Sequence, residues 1–204
     1  KLTEDQYRDM FEAIDDLAHR DAGFGVGFDE GEHRDAYVRI TDELEAFHRA
    51  GLDRWVLEIG RGGRRDAVNI VDADVAVVTA IGLDHAEYLG TDLSGIGAEK
   101  AAIARPGRPL VIADPQAPAS VERTGRSRGA RPVLLPGSDH DRSASDAVRV
   151  TGADGAPRSL AVAASECLED RNVIAALQAV ACLDDLPDDP GAVVAACAPA
   201  GRRQ

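Results

Sequence analysis

Hydrophobic residues recur along the chain in three patterns, and each predicts a different element. From Thr3 to about Arg20, Tyr7, Met10, Phe11, Ile14 and Leu17 fall on one stripe at helical spacing, with Thr3 and Gln6 placed as a capping box. A glycine-rich loop, Gly23 to Gly31, separates this helix from a second helical pattern running from about Asp35 to Ala50, which Gly51 stops. Four continuous apolar runs form the second pattern: Arg54 to Gly60, Asp74 to Gly82, Pro109 to Asp114 and Pro132 to Gly137. Apolar runs without alternation belong to strands covered on both faces, as in parallel sheets. A helical segment, roughly Leu93 to Ala104, lies between the second and third runs, so strand, crossover and strand follow one another at right-handed parallel spacing. The third pattern is short alternation: "AVRVTG" and "RSLAVAA", inside the polar stretch Ser138 to Ala164, predict a hairpin. Helix returns from Asn172 to Leu183 and again from about Pro190. The fold class these elements predict is α/β: a mostly parallel sheet flanked by helices, with a small β-hairpin region.

Composition narrows what such a fold can do. The chain has 204 residues, enough for one sizeable α/β domain. Its formal net charge of −13 argues against nucleic acid or an anionic membrane as the main partner, so an anionic ligand must be held by local features. No apolar run approaches the ~20 residues of a membrane span and no secretory signal is present, which makes the cytoplasm the expected location. Lysine occurs only at Lys1 and Lys100, all other cations being arginine. The three cysteines, Cys167, Cys182 and Cys197, form no C-x-x-C pair and are expected to be small apolar helix residues.

Candidate chemistry concentrates at the ends of the predicted strands, where open parallel sheets bind ligands. Glu58, in "LEIGRGGRRDAVN", stands at the end of the first apolar run, and His85, in "AIGLDH", follows the second. A carboxylate and an imidazole on neighbouring strand ends suit a divalent metal or a phosphate-bound magnesium, although each alone is ordinarily a solvated or rim side chain. Lys100 comes one helix later, in "GIGAEKAAI". The glycines make no known phosphate loop by themselves: Arg65 occupies the third glycine position of a G-x-G-x-x-G, and no Gly-Lys-Ser/Thr is present. The opening turn therefore predicts a metal-binding strand end followed by a tight turn, with Arg64 and Arg65 either lining a cleft or bridged at the surface.

Taken together, Val56 to Ile112 resembles the central domain of the Mur ligase superfamily, nearest to the folylpolyglutamate synthase and dihydrofolate synthase branch. The signature of that branch runs V-L-E-V-G-L-G-G-R-x-D-A-T-N, then T-x-I-x-x-D-H-x-x-x-L-G, then I-x-x-E-K-A-G-I, and the three motifs are linked here at matching spacing. The resemblance implies that Glu58 and His85 hold magnesium near the ATP phosphates. It implies that Lys100 is a carbamylated lysine, whose carbamate turns a cation into an anionic oxygen ligand beside the metal and serves catalysis with His85. It further implies that Asn172 contacts adenine and that Arg202, in the ending "AGRRQ", meets ATP phosphate.

The implied activity is ATP-dependent amide formation, adding glutamate to a folate or pteroate carboxylate through an acyl phosphate. ATP and Mg²⁺ are the expected cofactors and small molecules the expected partners, with neither nucleic acid nor membrane, and a monomer when complete. A phosphate loop of the form G-T-N-G-K-G-S belongs before this region in the family and an amino-acid-binding domain after it. Residues 1–204 are thus expected to be a partial central ATP-binding domain that turns over negligibly alone. An alternative is a non-catalytic nucleotide- or metal-binding relic or interaction module. Arg61, Val68, Leu168 and Glu169, which depart from the family pattern, favour it.

Overall fold

The computed structural model describes residues 40, 42–60, 62–64, 66–82, 92–166 and 168–197. The predicted helix at Thr3 to Arg20 and the loop at Gly23 to Gly31 lie outside these residues. The chain divides into two compact units, Lys1–Asp72 and Ala73–Gln204.

Within the first unit, residues 40 and 42–49 form helix α1. It stops where the sequence predicts: Gly51 takes φ +64°, its N–H bonds to the His48 carbonyl at 2.9 Å, and the Leu52 N–H reaches back to Phe47 at 3.4 Å. This is a Schellman ending, which satisfies carbonyls that a helix terminus otherwise leaves orphaned and needs a left-handed residue at glycine's position. Leu44, 1% exposed, centres a small core with Ile40, Trp55, Leu57, Ile70 and Val71. The predicted strand Arg54 to Gly60 does not form among the described residues; the segment carries no ladder, and Val56 is 95% exposed. An apolar run becomes a strand only where another strand supplies hydrogen-bond partners, and the described part of this unit contains none. Trp55 and Leu57 instead pack on α1's core while Val56 and Glu58 face outward.

The second unit is layered. Strands β1 (Ala76–Val78), β2 (Leu110–Ile112) and β3 (Val133–Leu134) make a parallel sheet in the order β1-β2-β3, with Val77 opposite Val111 and Val111 opposite Leu134. The helices are α2 (Leu93–Ala101), α3 (Ala119–Ser127), α4 (Asp170–Cys182) and α5 (Pro190–Ala196). Alternate residues along each strand point to opposite faces. Ala76, Val78, Leu110, Ile112 and Val133 pack with Ala101 of α2 and Val121 of α3, whereas Val111, Ala113 and Leu134 pack with Ala175 of α4. Both faces are covered, which is why these strands read as unbroken apolar runs. Fully burying a side chain such as Leu110 or Val121 contributes about 1.5–3 kcal/mol.

The predicted hairpin is present as part of a larger element. β4 (Asp141–Ala144), β5 (Ala147–Thr151) and β6 (Pro157–Ala161) form an antiparallel sheet in that order. Val148, Val150 and Val162 pack on Val173, Ile174, Leu177 and Ala181, so α4 is clamped between the two sheets. Gln178, fully buried on α4, accepts the Thr151 N–H and donates to the Thr151 carbonyl, both at 2.8 Å, and to Cys182 Sγ at 3.3 Å. Every polar group of this peg is used, as burial demands.

Candidate functional site

The turn after Glu58 is built by its own side chains. Gly62 adopts φ +71°, the Asp66 N–H bonds to the Gly63 carbonyl at 3.2 Å, and Asp66 Oδ1 accepts the Val68 N–H at 2.9 Å, capping a single 3₁₀ turn at Ala67–Ile70. Asn69 donates from Nδ2 to the Arg64 carbonyl at 3.0 Å, closing the loop from the other side. Asp66 and Asn69 of "DAVN" are thus structural here: they hold the turn. Arg64 is exposed, and Arg61 and Arg65 lie outside the described residues. Glu58 is exposed and, among the described residues, is not at the end of a paired strand, which corrects the strand expected to carry it. Its carboxylate makes no hydrogen bond or ion pair with a described residue, which leaves two hard oxygen donors available to a divalent cation.

Of the other sequence-predicted residues, His85 and Arg202 lie outside the described residues. Lys100 is half-buried in the last turn of α2, where a cation also complements the helix dipole. It forms no ion pair with a described residue. Asp92 sets the start of this helix by accepting the Ser94 and Gly95 N–H groups, each at 3.0 Å. Gly97 lets α2 approach α3: a Cβ there would lie 2.8 Å from Pro118 Cγ and 2.9 Å from Val121 Cγ2. Asn172 is exposed in the first turn of α4, its N–H bonded to the Glu169 carbonyl at 2.9 Å. Lys100 and Asn172 therefore stand on helices that cover opposite faces of the parallel sheet. Among the described residues no three His, Cys, Asp or Glu side chains converge as a metal cluster. The free thiol of Cys182 is pushed up by burial, in keeping with a packing role.

Four polar features lie beyond what the sequence predicts. Asp114, 7% exposed at the carboxyl end of the central strand, accepts the Ile81 N–H at 3.3 Å and the Gln116 N–H at 2.8 Å. It ties the exit of β1, four residues before His85, to the exit of β2. The signal in the sequence is Asp114, the last residue of "PLVIAD", followed at once by Pro115. Arg142, on β4, grips Asp170 at the start of α4 through Nε, 2.8 Å from both carboxylate oxygens, and through Nη2 to Oδ1. That carboxylate raises the guanidinium's affinity for its proton further. A similar fork joins Arg149 to Asp141 and holds the carboxyl of Asp141 below its usual range. Finally, His140 is 1% exposed and neither ring nitrogen makes a hydrogen bond of normal geometry with a described residue. Burial pushes its pKa down, against the opposing pull of Asp139, the carbonyls of Ile112 and Leu134, and Asp141.

Comparison with known proteins agrees with the motif resemblance. No family model matches the chain. The dihydrofolate synthase/folylpolyglutamate synthase of Escherichia coli is 49% identical over 87 residues, which are 43% of this chain and 21% of that protein. Among solved structures, E. coli FolC in complex with DHPP and ADP superposes with a TM-score of 0.69 at 32% identity, over 88% of this chain and 47% of that one. The bifunctional folylpolyglutamate synthase/dihydrofolate synthase of Yersinia pestis, complexed with AMPPNP and a Mn ion, gives 0.71 at 28% identity, over all of this chain and 47% of that one. The chain spans about half the length of these structures, and its parallel sheet with flanking helices and second antiparallel sheet is their fold. Among the described residues no helix is long and apolar enough to cross a membrane.

Proposed function

We infer that this chain belongs to the folylpolyglutamate synthase/dihydrofolate synthase branch of the Mur ligase superfamily, and that residues 1–204 are part of its central ATP-binding domain. The observation that carries the inference is the linkage of three motifs at matching spacing along the sequence from Val56 to Ile112, supported by the identity to the E. coli enzyme and by the shared fold. The whole ligase would join glutamate to a folate or pteroate carboxylate. That carboxylate attacks the γ-phosphorus of ATP, forming an acyl phosphate and releasing ADP; the glutamate amine then attacks the acyl carbon and phosphate leaves.

In this reading Glu58 and His85 would hold the divalent cation, which fits an exposed, unengaged carboxylate and an imidazole as hard and borderline donors. Magnesium is the proposed ion, and bound with ATP it would neutralise charge on the phosphates during transfer. Lys100, as its carbamate, would add an anionic oxygen; a half-buried lysine with no counter-ion among the described residues is suited to modification, since losing its charge breaks no pair. Asn172 would present its exposed amide to adenine, and Arg202 would meet a phosphate. The partners are small molecules and the complete enzyme is a monomer of the cytoplasm. Arg61, Val68, Leu168 and Glu169, which depart from the family pattern, favour a second reading, a nucleotide- or metal-binding module without turnover.

Calorimetric titration of ADP and ATP with Mg²⁺ into the chain and its Glu58→Ala and His85→Ala variants tests the site. Weakening by both substitutions of more than about tenfold supports the metal–nucleotide half-site. Absence of binding by the folded parent chain sinks it. Carbon-13 bicarbonate labelling followed by NMR reads the carbamate directly: a carbamate resonance that vanishes in Lys100→Arg is expected.

A further inference from the structure

Helix α4 begins in an unusual way for a helix that has to present a side chain accurately. Its N-cap, Glu169, makes no side-chain capping bond, and the Asn172 and Val173 N–H groups fall back on the Glu169 carbonyl at 2.9 and 3.1 Å. A first turn without a side-chain cap is the part of a helix that frays most readily. The apolar residues that seat α4 on the two sheets, Val173, Ile174, Ala175, Leu177 and Ala181, begin only at its fourth residue. Yet Asn172 is exposed within that turn.

What fixes the turn comes from outside the helix. Arg142 holds Asp170, the first residue of α4, through the bidentate fork described above, and its Nη1 donates to the Val162 carbonyl at 2.8 Å and to the Ser145 carbonyl at 3.5 Å. One guanidinium thereby ties β4, the residue after β6 and the start of α4 together, pinning both ends of the 163–169 connection. The Arg142 side chain is 18% exposed and that of Asp170 42%, so the guanidinium side of the fork is shielded while the carboxylate side meets solvent. Its planar geometry also fixes the angle at which the carboxylate is met, which an ammonium cannot do.

We propose that Arg142, acting through Asp170, is a positioning residue for Asn172, setting the first turn of α4 so that the Asn172 amide meets the purine of an adenine nucleotide. The proposal rests on the adenine reading of Asn172 above. Arg142 touches no nucleotide itself; its part is to hold a turn that the helix's own sequence leaves uncapped.

A double-mutant cycle in ADP binding, with Mg²⁺, on the full chain separates this from a plain structural clamp. Asn172→Ala is expected to weaken ADP about tenfold, and Arg142→Lys, which keeps the charge but loses the fork, by a similar factor. The double variant is expected to bind no more weakly than either single one, because Arg142 acts only through Asn172. Asp170→Asn, which keeps the side chain's shape, must fall at the same place in the cycle and serves if Arg142→Lys folds poorly. Thermal melts run alongside. Arg142→Lys that lowers the melting temperature but leaves the ADP Kd unchanged, while Asn172→Ala weakens it, overturns the proposal, as do effects that multiply in the double variant. If Asn172→Ala has no effect, or the folded parent chain binds no ADP, the adenine reading falls and the proposal falls with it.

Discussion

The two sheets of the second unit share one helix and differ in how they are held. β1, β2 and β3 are buried on both faces, by α2 and α3 on one side and α4 on the other, and their side chains are almost wholly apolar. β5 buries Val148 and Val150 against α4 while β6 buries no residue fully, and the two strands carry Arg149 and Arg158, each paired with an aspartate, Asp141 or Asp184. The doubly covered sheet is stabilised by area removed from water and tolerates no polar side chain within its strands. The singly covered one uses directional polar contacts to set its register and to fasten α4. Polar side chains are accordingly left to the margins of the first sheet, at strand ends and helix termini, where Asp114, Lys100 and Asn172 stand.

Substitutions that act on one sheet and not the other sharpen this contrast. The largest effect is expected from Leu110→Ala, in the centre of the parallel sheet: a loss of roughly 3–5 kcal/mol by chemical denaturation, from lost transfer energy plus a cavity between β2 and α3. A loss below about 1 kcal/mol would mean that the two-faced packing is not what holds this layer. Gln178→Ala strikes the shared helix, stranding the Thr151 N–H and carbonyl; about 2–3 kcal/mol is expected, with hydrogen exchange at Thr151 accelerated ahead of its neighbours. Asp114→Ala leaves two N–H groups without their acceptor and should cost roughly 1–3 kcal/mol. Faster exchange at Ile81, with β2 and β3 unaffected, is the mark of its clamp.

The pH dependence tests the joint between the sheets. His140 has a lowered pKa in the folded chain, so below the ordinary histidine value the unfolded chain binds the additional proton. Its contribution to stability is therefore complete at neutral pH and declines as pH falls through about 6.5 towards the folded value, at up to about 1.4 kcal/mol per pH unit. His140→Phe should remove that slope from urea melts between neutrality and mild acid; an unchanged slope would assign it to other groups. The smallest effect belongs to Arg126→Ala, which breaks the exposed pair with Glu122 at 2.8 Å on α3. A change of no more than about 0.5 kcal/mol is expected in thermal melts.

Legibility from sequence followed the same division. Apolar runs announced β1, β2 and β3, alternation announced β5 and β6, and helical spacing announced α2, α4 and α5, because each pattern is the imprint of which faces are covered. α3 leaves no such imprint: it buries Ser120, Val121 and Gly125 and is otherwise mostly polar, and Gly125 is there because a Cβ would lie 2.3 Å from Leu110 Cδ2. β4, with "DRSA", carries no apolar pattern because its side chains are never fully buried and it exists through its ladder to β5. The run at Arg54 to Gly60 predicts a strand because its hydrophobicity is visible in the sequence, whereas the absence of a ladder partner among the described residues is not.

By itself the sequence determined the α/β class, the order of most elements and the motif set that relates this chain to its ligase relatives, since periodicity and linked spacing are local properties of the chain. Tertiary structure alone decided that α4 serves two sheets, that Lys100 and Asn172 stand on opposite faces, and that Arg142 reaches Asp170 across 28 positions. Those outcomes depend on which segments meet in space. A guanidinium or a buried carboxylate carries no mark in sequence of the partner that burial will oblige it to find.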